Sequence, residues 1–143
     1  MEKTMIKELI KDEALLSQPC EPATADDAEV AQDLLDTLGS LEDAACLAAN
    51  QIGVTKCVVA YLDDNEQPRV MYNPTLKLAL GAFKTTEGCL SLEADSKVTR
   101  YDRIKVAYDE LVDGALQPRK KDFTGWTAQL IQHMIDHCKG KLV

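Results

Sequence analysis

The sequence predicts an α+β fold of antiparallel-rich short strands set around a C-terminal helix. Two patterns carry that reading. Apolar residues recur at helical spacing near each end of the chain, and between them the middle, residues 56–112, is a run of short β-rich stretches broken by turn residues.

The elements follow in order. Asp26 to Leu41 reads as an amphipathic helix, with Val30, Leu34, Leu35 and Leu38 on one face and Gly39 at its end. Cys57 to Tyr61 and Gln67 to Tyr72 read as strands joined through Asp63-Asp64-Asn65-Glu66, a turn-rich hairpin connection. Ala82 to Thr86 is a further strand. Lys105 to Tyr108 and Leu116 to Lys120 flank a turn at Asp113-Gly114, and Pro118, which has no N–H to give a ladder, places its strand at a sheet edge. The last helix runs from about Thr124 to Lys139, with Gly140 as its cap. No repeat, low-complexity tract or linker divides the sequence, so residues 1–143 are read as one domain.

Composition narrows the functional classes. Sixteen basic against 24 acidic residues give a net charge of −8, which disfavours nonspecific nucleic-acid binding. No apolar run approaches the ~18 residues of a membrane span. The first residues, Met1-Glu2-Lys3-Thr4-Met5-Ile6, carry charges where a signal peptide needs an apolar core. The five cysteines (Cys20, Cys46, Cys57, Cys89, Cys138) are odd in number and lack paired spacing, so reduced thiols and a cytoplasmic location are expected.

The chemistry concentrates in three segments. In Gln132-His133-Met134-Ile135-Asp136-His137, two histidines four apart lie on one helix face and can reach one metal ion. The hydrolytic motif of that spacing, H-E-x-x-H, uses its Glu as general base, and here Met134 stands in its place. A thioether cannot carry a proton at neutral pH. Glu87-Gly88-Cys89-Leu90-Ser91 offers a thiolate, so Cys89, His133 and His137 form a set suited to Zn²⁺ or Fe²⁺ with a fourth position for water. The small-residue run Cys46 to Gly53 contains Gln51, whose carboxamide can donate to a developing oxyanion.

Taken together these segments resemble the peptide deformylase family, whose motifs read roughly G-x-G-L-A-A-x-Q, E-G-C-L-S and Q-H-E-x-D-H. The chain matches Leu47, Ala48, Ala49 and Gln51 of the first and all of Glu87 to Ser91. In the third it matches Gln132, His133, Asp136 and His137. Met71-Tyr72-Asn73-Pro74 and Arg100 to Val106 look like the family's intervening strands, so the likeness spans nearly the whole chain.

The resemblance implies a peptide-deformylase-like fold and one divalent transition metal, Fe²⁺ or Zn²⁺, on Cys89, His133 and His137. It also implies hydrolytic removal of the N-formyl group from N-formylmethionyl peptides. Gln51 and the Leu90 backbone N–H are the implied oxyanion donors. Glu87 either pairs with Arg100 to brace the cysteine loop or faces solvent; Asp136 is a solvated helix residue, supports a ligating histidine or makes a local ion pair. Trp126 and Leu130 either line an apolar substrate pocket, with Cys46 in the substrate loop, or close the core. Cys138 reads as a small buried hydrophobe.

Five positions depart from the family pattern. Ala44 and Cys46 stand at the two glycines of the first motif, Gln129 stands where an arginine is usual, Glu93 stands where a proline is common after the cysteine motif, and Met134 replaces the catalytic Glu. Loss of a general acid/base ordinarily costs ~10²–10⁴-fold. The expectation is a metalloprotein with weak or lost deformylase activity. A non-catalytic binder of formylated or other N-terminal peptides, and a hydrolase of another small amide or ester, stand as alternatives.

Overall fold

The computed structural model describes residues 9–41, 44–88 and 96–141. Its helices are α1 (Glu13–Leu16), α2 (Ala28–Gly39) and α3 (Gly125–Cys138), and its strands are β1 (Cys46–Ala48), β2 (Val58–Leu62), β3 (Pro68–Glu87), β4 (Ser96–Val112) and β5 (Ala115–Thr124). The strands form one antiparallel sheet in sequence order, β1-β2-β3-β4-β5. Helices at both ends of an antiparallel sheet give the α+β class the sequence predicts. No described helix is long and apolar enough to cross a membrane.

Local chemistry sets the turns. Asp63 closes the β2–β3 connection: its Oδ1 accepts from the Asn65 and Gln67 N–H groups at 2.9 Å, and its Oδ2 accepts from Arg69 Nε at 2.9 Å. The β4–β5 turn holds Asp113 and Gly114 at φ 50° and 81°, the doubly left-handed geometry that matches strand twist. Pro118 sits in β5, at the sheet edge, opposite Asp109 of β4.

Side chains alternate along the strands and sort into two cores. Val58 and Ala60 join Leu47 and Tyr72 in the cluster with Leu34 and Leu38 of α2. Val59 and Tyr61 join Met71, Ile104 and Val106 in the cluster with Ile131, Met134 and Cys138 of α3. Of the face expected on α2, Leu34 and Leu38 are buried, Ala31 and Thr37 join them, and Val30 and Leu35 are half-buried.

The middle differs from the expectation in length. The runs around Met71-Tyr72 and Ala82 to Thr86 belong to the single strand β3, and β4 spans the whole 96–112 stretch. A register shift between Tyr72 and Thr75 interrupts the β3–β4 ladder and breaks the alternation a sequence reader follows. Asn73 sits there at φ 53° and ties the bend to the N-terminal segment. Its Oδ1 accepts from Ala23 N–H at 2.7 Å and its Nδ2 donates to Ala23 C=O at 2.9 Å.

α3 ends by docking on that same N-terminal segment. Gly140 adopts φ 77°, and a Cβ there would lie 2.5 Å from the Ser17 carbonyl oxygen, so only glycine permits the approach. Beside it, Cys20 N–H donates to Cys138 C=O at 2.8 Å.

Candidate metal centre

Both histidines sit on α3 and are buried, His133 with 7% and His137 with 1% of its surface exposed. The i, i+4 offset brings their rings together, tilted by 58° with centroids 4.9 Å apart, and their Nε2 atoms face each other 3.1 Å apart. Two nitrogens bound to one metal at ~2.1 Å with a tetrahedral angle lie ~3.4 Å apart, so the pair already has nearly the spacing of two ligands of one ion.

Glu87, the last residue of β3, organises the back of the site. His133 Nδ1 donates to its Oε1 at 2.7 Å, Gln129 Nε2 donates to its Oε2 at 2.8 Å, and Arg100 donates through Nε and Nη2 at 2.7 to 3.1 Å. Burial works to raise the Glu87 pKa, but the donors His133, Arg100 and Gln129 outweigh it and hold it at about 2. An ionised carboxylate only accepts, so the His133 proton sits on Nδ1 and the Nε2 lone pair faces His137. That is how a carboxylate prepares an imidazole for a metal.

Arg100 extends from β4 between two acids. Its Nη1 donates to Asp136 Oδ2 at 2.6 Å while its other nitrogens hold Glu87. Of the two readings open for Glu87, the structure has the pairing with Arg100; of those for Asp136, it has the ion pair. The group carries two carboxylates against one buried guanidinium, with Lys141 3.7 Å from Asp136 at the rim.

Gln51 lies in a 3₁₀ turn (Ala49–Ile52) directly after β1 and is buried. Its Oε1 accepts from Ala48 N–H at 3.0 Å, which orients the carboxamide with Nε2 as its donor end. A cleft of about 180 Å³ opens beside His133, lined by Cys46, Glu87, Trp126, Gln129 and Leu130 among others. Trp126 is 63% exposed and so lines the cleft without closing the core, whereas Leu130 is buried and does both. A larger cleft of about 330 Å³ by the β2–β3 turn lies away from the histidines, and four of its polar groups are paired with each other, Asp63 to Arg69 and Thr127 to Asp64.

Met134 is a core residue. It is 1% exposed and belongs to the apolar cluster between the sheet and α3, together with Ile131 and Cys138. The site residues Cys89 and Leu90 lie outside the described residues. Among those described, no three His, Cys, Asp or Glu side chains are placed to hold a metal ion. The two facing imidazoles, one with its tautomer set by Glu87, are the part of the donor set that can be tested, and they fit a divalent transition metal.

Sequence reasoning passed over three contributors. Gln129, noted only as a departure from pattern, supports Glu87. Gln132 clips α3 to β4: its Oε1 accepts from Tyr101 N–H at 2.9 Å and its Nε2 donates to Tyr101 C=O at 2.8 Å. Asn50 Nδ2 donates to the His137 carbonyl at 3.0 Å and holds the end of α3 against the turn that carries Gln51. Gln132 alone is a matched motif position; Gln129 and Asn50 bond across elements, to Glu87 and to the His137 carbonyl, and such non-local partners leave no pattern in the sequence.

Comparison with known proteins agrees with this geometry. The family model described as polypeptide deformylase matches residues 6–143. A peptide deformylase of Clostridium beijerinckii is 40% identical over 140 residues, covering 97% of this chain and 100% of that protein. One from Tolumonas auensis is 35% identical, covering 89% of this chain and 75% of its own. Among solved structures, the peptide deformylase of Thermus thermophilus superposes with a TM-score of 0.82 at 28% identity, covering 96% of this chain and 83% of that one. A peptide deformylase from Synechococcus elongatus in complex with actinonin gives 0.81 at 28% identity, covering 99% of this chain and 78% of that one. With a buried histidine pair, a carboxylate behind it and this agreement along nearly its full length, the chain belongs to the polypeptide deformylase family.

Proposed function

We propose that this chain is a metal-bearing deformylase relative that engages a formylated or other N-terminal peptide in the cleft beside His133, and hydrolyses the formyl group weakly or not at all. The family removes N-formyl groups from nascent peptides and uses a divalent metal. The single observation that carries the reading is Met134: a side chain buried in the apolar core occupies the place of the general base.

His133, His137 and Cys89 would hold the ion, Fe²⁺ or Zn²⁺. A divalent metal there supplies Lewis acidity toward a carbonyl and toward water. Gln51 Nε2 and the Leu90 N–H would steady negative charge developing on the formyl oxygen. Trp126, Leu130 and Cys46 supply apolar walls for the first side chain of a peptide. Proton transfer to the departing amine is the step for which position 134 offers no carrier. Among the described residues, Glu87 and Asp136 are both paired with Arg100, and Glu87 bonds the face of His133 turned away from His137.

The test joins two measurements on one preparation: metal content after anaerobic purification, and turnover of a formyl-Met peptide beside the Clostridium beijerinckii relative. About one metal per chain and a rate at least ~10²-fold below the relative are expected. Equal rates, or no metal after reconstitution with Fe²⁺ or Zn²⁺, overturn the proposal.

A further inference from the structure

Away from the histidines, three cysteines from three parts of the chain meet at one place. Cys20 lies in the segment after α1, Cys57 just before β2, and Cys138 at the end of α3. Backbone contacts fix the meeting. Cys20 N–H donates to Cys138 C=O at 2.8 Å, Cys57 N–H donates to Glu21 C=O at 2.9 Å, and Glu21 pairs with Lys56 in an isolated parallel bridge. The Cys57 Sγ–H donates to the Cys20 carbonyl oxygen at 3.5 Å, and the Cys57 side chain packs against the apolar cluster that holds Cys138. All three are unlinked thiols; Cys20 and Cys57 are half-buried, while Cys138 is buried.

A lone buried thiol is an inert small hydrophobe. A thiol flanked by two others is different, because S–H donors stabilise a thiolate and a second sulfur stands ready to resolve its oxidation. We infer that Cys57 is an oxidant-responsive site that forms a reversible disulfide with Cys20. Cys20 is the chosen partner because it shares partial exposure with Cys57, whereas Cys138 is packed into the α3 core. The neighbouring thiols, Cys138 first and then Cys20, lower the Cys57 pKa.

The chemistry balances with a hydroperoxide as oxidant. The Cys57 thiolate attacks the terminal peroxide oxygen, the O–O bond breaks, and the departing oxygen leaves as an alcohol or water after taking a proton. The Cys57 sulfenic acid so formed is attacked by the Cys20 sulfur. The S–O bond breaks, the S–S bond forms, and hydroxide leaves with the Cys20 proton as water. Two thiols lose two electrons and one hydroperoxide is reduced. The link closes a loop containing α2, β1 and Gln51, so it braces the segment that forms one wall of the candidate site.

The experiment treats Zn²⁺-loaded protein with one equivalent of hydrogen peroxide, blocks remaining thiols, and maps peptides without reduction. Trypsin combined with a glutamate-specific protease separates Cys20, Cys46, Cys57 and Cys138. A Cys20–Cys57 linked peptide that dithiothreitol reverses is expected, with a Tm raised by roughly 5–10 °C in the oxidised form. Cys57→Ser should abolish the link and Cys138→Ser should keep it. The map of the unmodified chain decides on its own if a variant does not fold. A first link between any other pair, or Cys57 running to sulfinic acid without a link, overturns the inference.

Discussion

Glu87 Oε1 receives His133 Nδ1 and Arg100 Nη2 at the same distance, 2.7 Å. One carboxylate oxygen thus couples a buried guanidinium on β4 to an imidazole on α3. The positive charge of Arg100 keeps Glu87 ionised, and ionised Glu87 keeps the His133 proton on Nδ1. Ring orientation at the candidate metal centre therefore depends on a sheet residue that never approaches the metal position.

Glu87→Gln should show this dependence. The amide keeps the shape but can present its NH₂ to Nδ1, releasing the fixed tautomer. Loss of such a supporting carboxylate costs ~10–100-fold in metal affinity, and competition against a chelator of known affinity should read a drop in that range. Unchanged affinity would mean that the contact with His133 is incidental.

Much of the fold is legible from spacing alone, because helical periodicity and the Asp113-Gly114 turn are local. The histidine offset likewise suffices to set both rings on one side of α3. What the sequence hides is non-local. Asn73 takes a positive φ because it can bond Ala23, fifty residues away, and that bend makes one long strand look like two short ones. Gln129 looks like a mere replacement until Glu87 is folded against it. Whether Trp126 and Leu130 face a cleft or a core depends on which walls of α3 the sheet covers, and apolarity alone does not say.

Gln132→Ala tests the clip between α3 and β4. Removing the carboxamide leaves the Tyr101 N–H and C=O without their side-chain partner, and an orphaned buried polar group costs about 1–3 kcal/mol. A loss of about 2–4 kcal/mol is expected in urea unfolding, with unaltered m-value. A loss under ~0.5 kcal/mol would show that water replaces the clip.

The alkaline limb of stability should report Tyr61. Burial, reinforced by Tyr108 and opposed by Arg69, pushes its pKa up to about 12. A group whose folded pKa is raised contributes stability below its unfolded pKa, ~10, and loses it as pH rises through the folded value. Unfolding free energy should therefore fall between about pH 10 and 12, and Tyr61→Phe should be flatter across that window. Identical slopes for the two proteins would remove Tyr61 as a cause.

Met134→Glu decides the functional reading. The substitution restores a proton carrier one residue after His133, so formyl-Met peptide turnover should rise by ~10²-fold or more. Recovery should stop short of a relative's rate, because Ala44 and Cys46 also alter the first motif. The same change places a carboxylate where the chain buries an apolar side chain, so the metal-free variant should lose on the order of 3 kcal/mol of stability. Met134→Gln separates the two effects: it carries polarity and similar size but no transferable proton, so stability should fall while turnover stays at the level of the unmodified protein. If the glutamine variant gains as much activity as the glutamate one, proton transfer is not what position 134 lacks, and the weak-activity reading of this chain fails with it.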